Sequence, residues 1–306
     1  MRKGFSIMDK KYRSGVLREL KESIPAYLLI LPTIAVFIVF LYIPFFNALR
    51  ISMYRYKGYG DLTDFIGLNN YKTILSDAKY YSAFFNTFKL IGFDLIFSIT
   101  IGFLLAYILF KGIKLKGFFS TSLFIPYLIS MVVVGCIWRI IYDPTIGPLN
   151  QFLGIIGLDN LKNAWLSQPS TAMSSIIVTW IWRTIPFNML IIYANIMTLP
   201  PDYLEAADID GANSLQKLRY IILPYLIPAF LQLSMLTVTN DLRVFDLVWI
   251  MTGGGPGGAT EVMTSYIYRQ AFISQRFGTA SASSVIMMIF MIALTVFFRI
   301  FNKKEG

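Results

Sequence analysis

PAYLLILPTIAVFIVFLYIPFF, residues 25–46, contains no charged side chain. An α-helix rises about 1.5 Å per residue, so roughly 20 apolar residues cover a hydrocarbon core of about 30 Å. The stretch is therefore long enough to cross a membrane. It follows a basic segment, as the core of a signal peptide does, but it is too long for one and lacks a convincing small-residue cleavage site, which predicts a retained span. Further windows of this kind lie at about 84–110, 118–142, 171–197, 221–250 and 280–302. The second, fourth and fifth of the six windows are interrupted by polar residues. The expected fold class is all-α, a polytopic integral membrane protein with six transmembrane helices.

Composition leads to the same class. Of 306 residues, 56% are hydrophobic and only 14% charged, against roughly 25% charged in an average soluble domain. The chain has no histidine, which excludes His-based metal sites, His general bases and Ser-His-Asp triads, and its one cysteine, Cys136, cannot form an internal disulfide. The net charge of +10 sits in basic clusters beside apolar runs, which points to the cytoplasmic face of a membrane and away from nucleic acid.

Those clusters also set orientation. Residues 1–24 carry seven Lys and Arg, the link KGIKLKG at 111–117 carries Lys111, Lys114 and Lys116, and the end of the chain has Lys303 and Lys304. All three fall on one side, which predicts cytoplasmic termini, with segments 47–83, 143–170 and 251–279 outside. The implied organisation is a cytoplasmic N-terminal segment 1–24, a transmembrane domain 25–302 and a cytoplasmic tail 303–306. There is no short-period repeat and no separate soluble domain.

Within the cytoplasmic part lies LPPDYLEAADIDGANSLQKLRYIILP, residues 199–224. Pro200 and Pro201 end the fourth span and preset the first turn of a new short helix near Asp202. At about 100° per residue, Asp202, Glu205 and Asp208 share one face, while Ala206 and Ala207, with Tyr203, form another that permits close approach. Gly211 suits the helix end, where a positive φ is often needed. A second helical segment starts near Ser214, carries Lys217 and Arg219, and enters the membrane at Pro224. Spacing alone leaves two readings open, a docking helix or a solvated loop with ordinary caps.

The pattern Glu205-Ala206-Ala207, Gly211, then Ile222-Leu223-Pro224 resembles the EAA signature of bacterial ABC importer permeases. A second set supports it: Phe245-Asp246, Thr252-Gly253-Gly254-Gly255-Pro256, Thr260-Glu261, Tyr266 through Phe272, Gly278, Ala280 and Ala282 look like the region before the last span of carbohydrate-uptake permeases. Pro32, Pro44 and the turn Phe65-Ile66-Gly67-Leu68-Asn69-Asn70-Tyr71 extend the likeness over essentially the whole chain. It is similar to the first member of a heterodimeric pair of the maltose and glycerol-phosphate type. The resemblance implies an importer in a bacterial or archaeal cytoplasmic membrane, in which two homologous permeases form the pathway. It further implies an ABC ATPase dimer that docks from the cytoplasm and an extracellular or periplasmic protein that delivers the solute. On the same basis Glu205, Ala206, Ala207 and Gly211 belong to the coupling helix, within segment 200–224, and Asp202 and Asp208 extend its acidic stripe.

No cofactor site is expected in the chain itself. The Gly-rich MTGGGPGGAT, residues 251–260, lacks the Gly-Lys-Ser/Thr of a Walker A loop and falls on the outer side, so ATP is expected on the partner ATPase. The other implied surroundings are membrane lipid, with no nucleic acid.

Polar residues within spans are costly and guide the eye to a pathway. Arg183 lies near the middle of the fourth window, too deep for easy snorkelling, and its insertion alone costs about 2.5–3.5 kcal/mol. Trp180 and Trp182 offer stacking faces, Pro186 a helix break and Asn188 an amide, which together suit a sugar. Asn240, Asp241, Arg243 and Asp246 in the fifth window, and Asp94 in the second, complete the candidate solute path. The alternative is an internal ion pair of Arg183 with Asp94 or Asp241. Trp138, Arg139 and Tyr142 fit an interfacial belt better than a site. No cluster of nucleophile, base or metal ligands suggests a membrane enzyme, and the EAA stretch argues against a secondary transporter.

Overall fold

The computed structural model describes Ser23 and residues 27–302, so nearly all of the expected segment 1–24, and the expected tail 303–306, lie outside the described residues. Among the described residues every element is helical apart from one isolated antiparallel bridge, Tyr54 to Phe65. The first helix, α1 (Tyr27–Ile51), widens into a π-turn at Ile38–Tyr42 and forms a unit of its own.

The second unit begins at Ser52. It contains α2 (Asn69–Leu75), α3 (Ala78–Phe110), α4 (Lys116–Leu128), α5 (Met131–Ile141), α6 (Pro148–Ile155), α7 (Pro169–Ile196) and α8 (Pro201–Ile209). Then come α9 (Ser214–Tyr225), α10 (Ile227–Asp241), α11 (Asp246–Thr252), α12 (Met263–Tyr268) and α13 (Phe277–Asn302). By length and apolar character α1, α3, α7 and α13 can each cross a membrane, and the number rises to six if the bent pairs α4–α5 and α9–α10 each count as one span.

The bends correct two of the expected windows. The 118–142 window is not one straight helix: Ile129 and Ser130 are extended, with ψ 136 and 139, and α4 meets α5 at 96°. The 221–250 window fails twice. Pro228 has no N–H for the carbonyl four residues back, at Pro224, and α9 meets α10 there at 58°. The chain then leaves the helix at Asp241, and α11 is a separate helix packed against α5. By contrast α7 runs unbroken through Pro186, where a break was expected.

The central contact is α3 against α7. Along α3, Asp94, Ser98, Gly102 and Ala106 recur every fourth residue and are buried. Three of the four are small, which lets the backbones approach closely in the absence of a strong hydrophobic drive between helices in lipid. Gly102 marks the tightest point, since a Cβ there would lie 3.0 Å from the Met189 backbone nitrogen and 3.1 Å from the Asn188 Cβ. Apolar clusters flank the polar middle. One gathers Leu90, Trp180, Ile181 and Leu247; another gathers Ala106, Met189, Leu226 and Leu233. The expected belt residue Tyr142 is buried in the first cluster, and its hydroxyl donates to the Ser175 carbonyl at 3.2 Å.

The Gly-rich loop is held by a partly buried ion pair. Arg269 Nε donates to Glu261 Oε1 at 2.9 Å, and its Nη2 donates to the Gly253 carbonyl at 2.6 Å. Asn86 on α3 donates to the carbonyls of Ala259 and Glu261, both at 3.0 Å. Arg269→Met is expected to leave the Glu261 carboxylate, which is 5% exposed, without its cation, at a cost on the order of 3 kcal/mol. A lower midpoint of thermal unfolding for the purified protein is the measurement that checks this.

Candidate functional site

A cavity of about 280 Å³ opens midway along α7, walled by α3, α4, α7 and α10. From α7 come Trp180, Arg183, Thr184, Phe187 and Asn188, the i, i+3, i+4, i+7, i+8 positions of one helix face. Asp94 enters from α3, Tyr127 from α4, and Thr237, Asn240 and Asp241 from α10.

The polar groups are anchored by short hydrogen bonds. Thr184 Oγ1 donates to Asp94 Oδ1 at 2.7 Å, and Trp180 Nε1 donates to Asp241 Oδ1 at 2.9 Å. Asn188 Nδ2 donates to Ser98 Oγ at 2.8 Å, and Ser98 Oγ in turn donates to the Asp94 carbonyl at 2.7 Å. Arg183 makes no ion pair with Asp94 or Asp241, contrary to the alternative weighed from the sequence. Its Nη2 donates to the Tyr127 carbonyl at 3.3 Å and its guanidinium lies 4.8 Å from the centre of the Tyr127 ring, which stacks on Phe187 at 5.1 Å. The break after Leu128 leaves that end of α4 free to receive the arginine. Three buried atoms on the cavity wall have no hydrogen-bond partner: Asp94 Oδ2, Asp241 Oδ2 and Arg183 Nε.

Of the residues expected on the solute path, Asp94, Trp180, Arg183, Asn188, Asn240 and Asp241 share this cavity, and three do not. Trp182 points to the far side of α7, edge-on to Trp138 at 5.4 Å, in an apolar groove with Phe93 and Phe97. Arg243 lies beyond the end of α10 and bonds the Thr239 carbonyl at 3.1 Å. Asp246 is an exposed residue at the start of α11. The displacement of Arg243 and Asp246 follows from α10 ending at Asp241. Tyr127, Thr184, Phe187 and Thr237 line the cavity without having been singled out from the sequence.

The 200–224 segment is the second feature. Pro201 occupies the first turn of α8, and the helix closes with the Ala212 N–H on the Ala207 carbonyl at 2.8 Å and the Gly211 N–H on the Asp208 carbonyl at 3.1 Å. Those two bonds form a Schellman turn, which needs a left-handed residue at its centre, and Gly211 has φ +75. Asn213 then caps α9: its Oδ1 accepts from the N–H groups of Leu215 and Gln216, while Gln216 Oε1 accepts from the Asn213 N–H at 2.7 Å. An ion pair between Lys217 and Asp208 ties the two helices together.

Two expectations for this segment change. Ala207 is buried against the chain itself, so the free face is not the alanine pair. Asp208 is engaged by Lys217, which leaves Asp202 and Glu205 as the open acids of the expected stripe. The most exposed large apolar groups are Ile209, 86% exposed, Leu215, 71%, Tyr220, 69%, and Tyr203, 59%. Lys111 Nζ, in the basic 111–117 link, donates to Ser214 Oγ at 3.1 Å, which puts that link beside the segment.

Residues 98–305 match the family described as binding-protein-dependent transport system inner membrane component. The chain belongs to that family. The permease is 34% identical to the probable ABC transporter permease protein YurN of Bacillus subtilis (strain 168), over 90% of this chain and 95% of the relative. It is 30% identical to the trehalose/maltose transport system permease protein MalF of Thermococcus litoralis, over 90% and 92% of the two chains. It is 32% identical to the sn-glycerol-3-phosphate transport system permease protein UgpA of Agrobacterium fabrum (strain C58), over 91% and 94%. Among solved structures, a chain of a bacterial ABC transporter that imports the acidic polysaccharide alginate superposes with a TM-score of 0.82 at 26% identity, covering 94% of this chain and 98% of that one. The protein is an ABC transporter permease, a multi-pass inner-membrane component of a binding-protein-dependent transport system.

Proposed function

We propose that solute crosses this permease through the cavity between α3, α7 and α10, and that segment 200–224 is where the partner ATPase takes hold. The observation that carries the first part is the set of orphaned polar atoms at mid-helix depth. Buried Asp94 Oδ2, Asp241 Oδ2 and Arg183 Nε offer two acceptors and one donor with nothing of the protein's own to bind. A sugar supplies hydroxyls that both donate and accept, and an apolar ring face that fits against the Tyr127–Phe187 stack. The cavity is half of a pathway whose other wall belongs to the second permease.

In this reading the chain has six spans, counting each bent pair as one, with both termini in the cytoplasm. The contact between Lys111 and Ser214 supports that orientation, because it joins the basic link to the 200–224 segment. The chain itself carries no catalytic role. The open acids Asp202 and Glu205 and the apolar Tyr203, Ile209 and Leu215 form the surface offered to the ATPase, while the external binding protein delivers solute to the opposite face.

The test is access from the pathway. Asn240 lines the cavity and is exposed, so Asn240→Cys in a Cys136→Ser background is expected to react with a small polar thiol reagent in the assembled importer. The modification should stop uptake, and transported sugar should slow the reaction. Full uptake after complete modification would exclude this cavity as the route.

A further inference from the structure

A second cavity, of about 490 Å³, is walled by residues 55–57, by the start of α2 and by residues 274–279, which lead into α13. Its floor is fixed by hydrogen bonds. Asn70, 6% exposed, donates from Nδ2 to the carbonyls of Ser52 and Tyr54 at 2.8 and 2.9 Å, and its Oδ1 accepts from Thr279 Oγ1 at 3.3 Å. The Gly278 N–H donates to the Tyr56 carbonyl at 3.2 Å, and a Cβ on Gly278 would collide with the Tyr54 carbonyl. Around this floor are the exposed Arg55, Lys57 and Arg276, and no acid lines the cavity. Arg55 reaches Asp64 at 3.3 Å, a pair open to water on both partners and therefore weak. Lys57 and Arg276 form no ion pair among the described residues.

Three cations gathered on one cavity repel one another, and an anion between them turns that repulsion into attraction. Guanidinium and ammonium groups bind phosphate oxygens through charge-assisted hydrogen bonds, which makes phosphate the fitting anion. Position selects its source. The apolar window of α13 begins at Phe277, one residue after Arg276, so the cavity stands at the end of a membrane span, where headgroup phosphates lie. Beside it Phe65, Leu68, Phe272 and Ile273 are each more than half exposed. Phe65 packs edge-on to Tyr54 at 5.2 Å and Phe272 to Phe277 at 5.6 Å, which keeps both rings next to the segments that build the cavity. Exposed apolar groups beside cations match the boundary between acyl chains and headgroups, and an acidic protein surface would leave them without a partner. We infer that this cavity binds the phosphate of an anionic phospholipid, with the cations on the headgroup and the exposed apolar residues against the acyl chains. The bound phosphate joins residues 55–57 to Arg276 and so steadies the start of α13. The site shares no residue with the solute cavity.

The experiment is native mass spectrometry of the assembled importer, stripped of lipid in detergent and titrated with phosphatidylglycerol. Each basic residue beside an anionic headgroup strengthens binding about fivefold, so the double variant Lys57→Gln/Arg276→Gln is expected to weaken one phosphatidylglycerol site roughly 30-fold. Both side chains are exposed and free of ion pairs, so the fold is not at stake, and Lys57→Arg/Arg276→Lys, which keeps both charges, should bind like the wild type. Lys72→Gln/Lys79→Gln removes the same charge from α2 and α3 outside this lining and should leave the site intact. An equal loss in that control means a diffuse field and overturns the site. Unchanged phosphatidylglycerol binding in the double glutamine variant overturns it as well. Inorganic phosphate that displaces the lipid at equal concentration makes this a site for a free anion, and the lipid assignment fails. If the glutamine variant keeps its lipid but no longer holds the external binding protein, the cavity receives an acid of that protein, and the inference is wrong. No transport is measured, so the outcome is separate from that of the cysteine test of the route.

Discussion

Uptake through an importer carrying Arg183→Leu is expected to fall by at least about tenfold, equivalent to ~1.4 kcal/mol on the transport barrier, with the permease still inserted and assembled. Leucine is cheaper than arginine at mid-membrane depth, so insertion does not suffer. What disappears is specific. Arg183 is half-buried on the cavity wall, its Nη2 holds the Tyr127 carbonyl at 3.3 Å, and its guanidinium lies against the Tyr127 ring at 4.8 Å. Loss of that contact frees Tyr127, which stacks on Phe187, so the aromatic wall loosens as well. The orphaned Nε is the cavity's unspent donor toward a solute hydroxyl. A charge-assisted hydrogen bond is worth about 1.5–3 kcal/mol, enough to account for the loss by itself. Arg183→Lys keeps the charge but not the planar fork, and is expected to recover only part of the rate. Wild-type uptake by Arg183→Leu at normal expression would make this arginine a packing element with no part in transport.

How far these residues could be read in advance depends on which coordinate is asked for. Depth is legible: a polar side chain inside a run of apolar residues sits a countable number of 1.5 Å steps from each end, which singles out Arg183, Asp94, Asn188, Asn240 and Asp241. Rotation about the helix axis is legible only when applied. Trp180, Arg183, Thr184, Phe187 and Asn188 fall on one face by their spacing, and Trp182, about 100° from Arg183, falls off it, which is where the structure puts it. The same arithmetic on α3 would have picked out Ser98, Gly102 and Ala106 as the stripe that brings Asn188 close. Breaks are harder. The turn at 242–245 is mostly apolar, Leu242, Val244 and Phe245 around one arginine, and the apolar run continues from Leu247, so a hydropathy window carries the fifth span past its real end, and Arg243 and Asp246 go with it. Pro228 is visible as a breaker, but its 58° is not, and the sharper bend at Ile129 and Ser130 has no residue type that announces it. That Asp94 and Asp241 line one cavity depends on how α3 and α10 dock, and no local pattern encodes that.

Gly211→Val is expected to leave the permease in the membrane while sharply weakening its hold on the ATPase. Gly211 has φ +75 at the centre of the turn that closes α8, a conformation open to glycine and costly for a β-branched residue by about 1–3 kcal/mol. A Cβ built at Gly211 meets nothing within 4 Å, so the penalty is one of backbone conformation and not of collision within the chain. That makes the position a clean probe. The turn can relieve the strain only by giving up the bonds from Gly211 to Asp208 and from Ala212 to Ala207, which fix the angle between α8 and α9. Those bonds also hold Ile209 and Leu215, at 86% and 71% exposure, in one surface with Glu205. Misplacing that surface by the same 1–3 kcal/mol lowers ATPase binding by roughly 5- to 150-fold. Copurification of the ATPase and sugar-stimulated ATP hydrolysis should fall together, while delivery of solute by the external binding protein stays normal. Asparagine tolerates the left-handed region, so Gly211→Asn is expected to keep most of the binding. Glu205→Lys reverses one exposed charge without touching the turn and should give a similar but milder loss. If Gly211→Val binds the ATPase and supports uptake like the wild type, segment 200–224 is a passive loop, and the grip lies elsewhere on the cytoplasmic face.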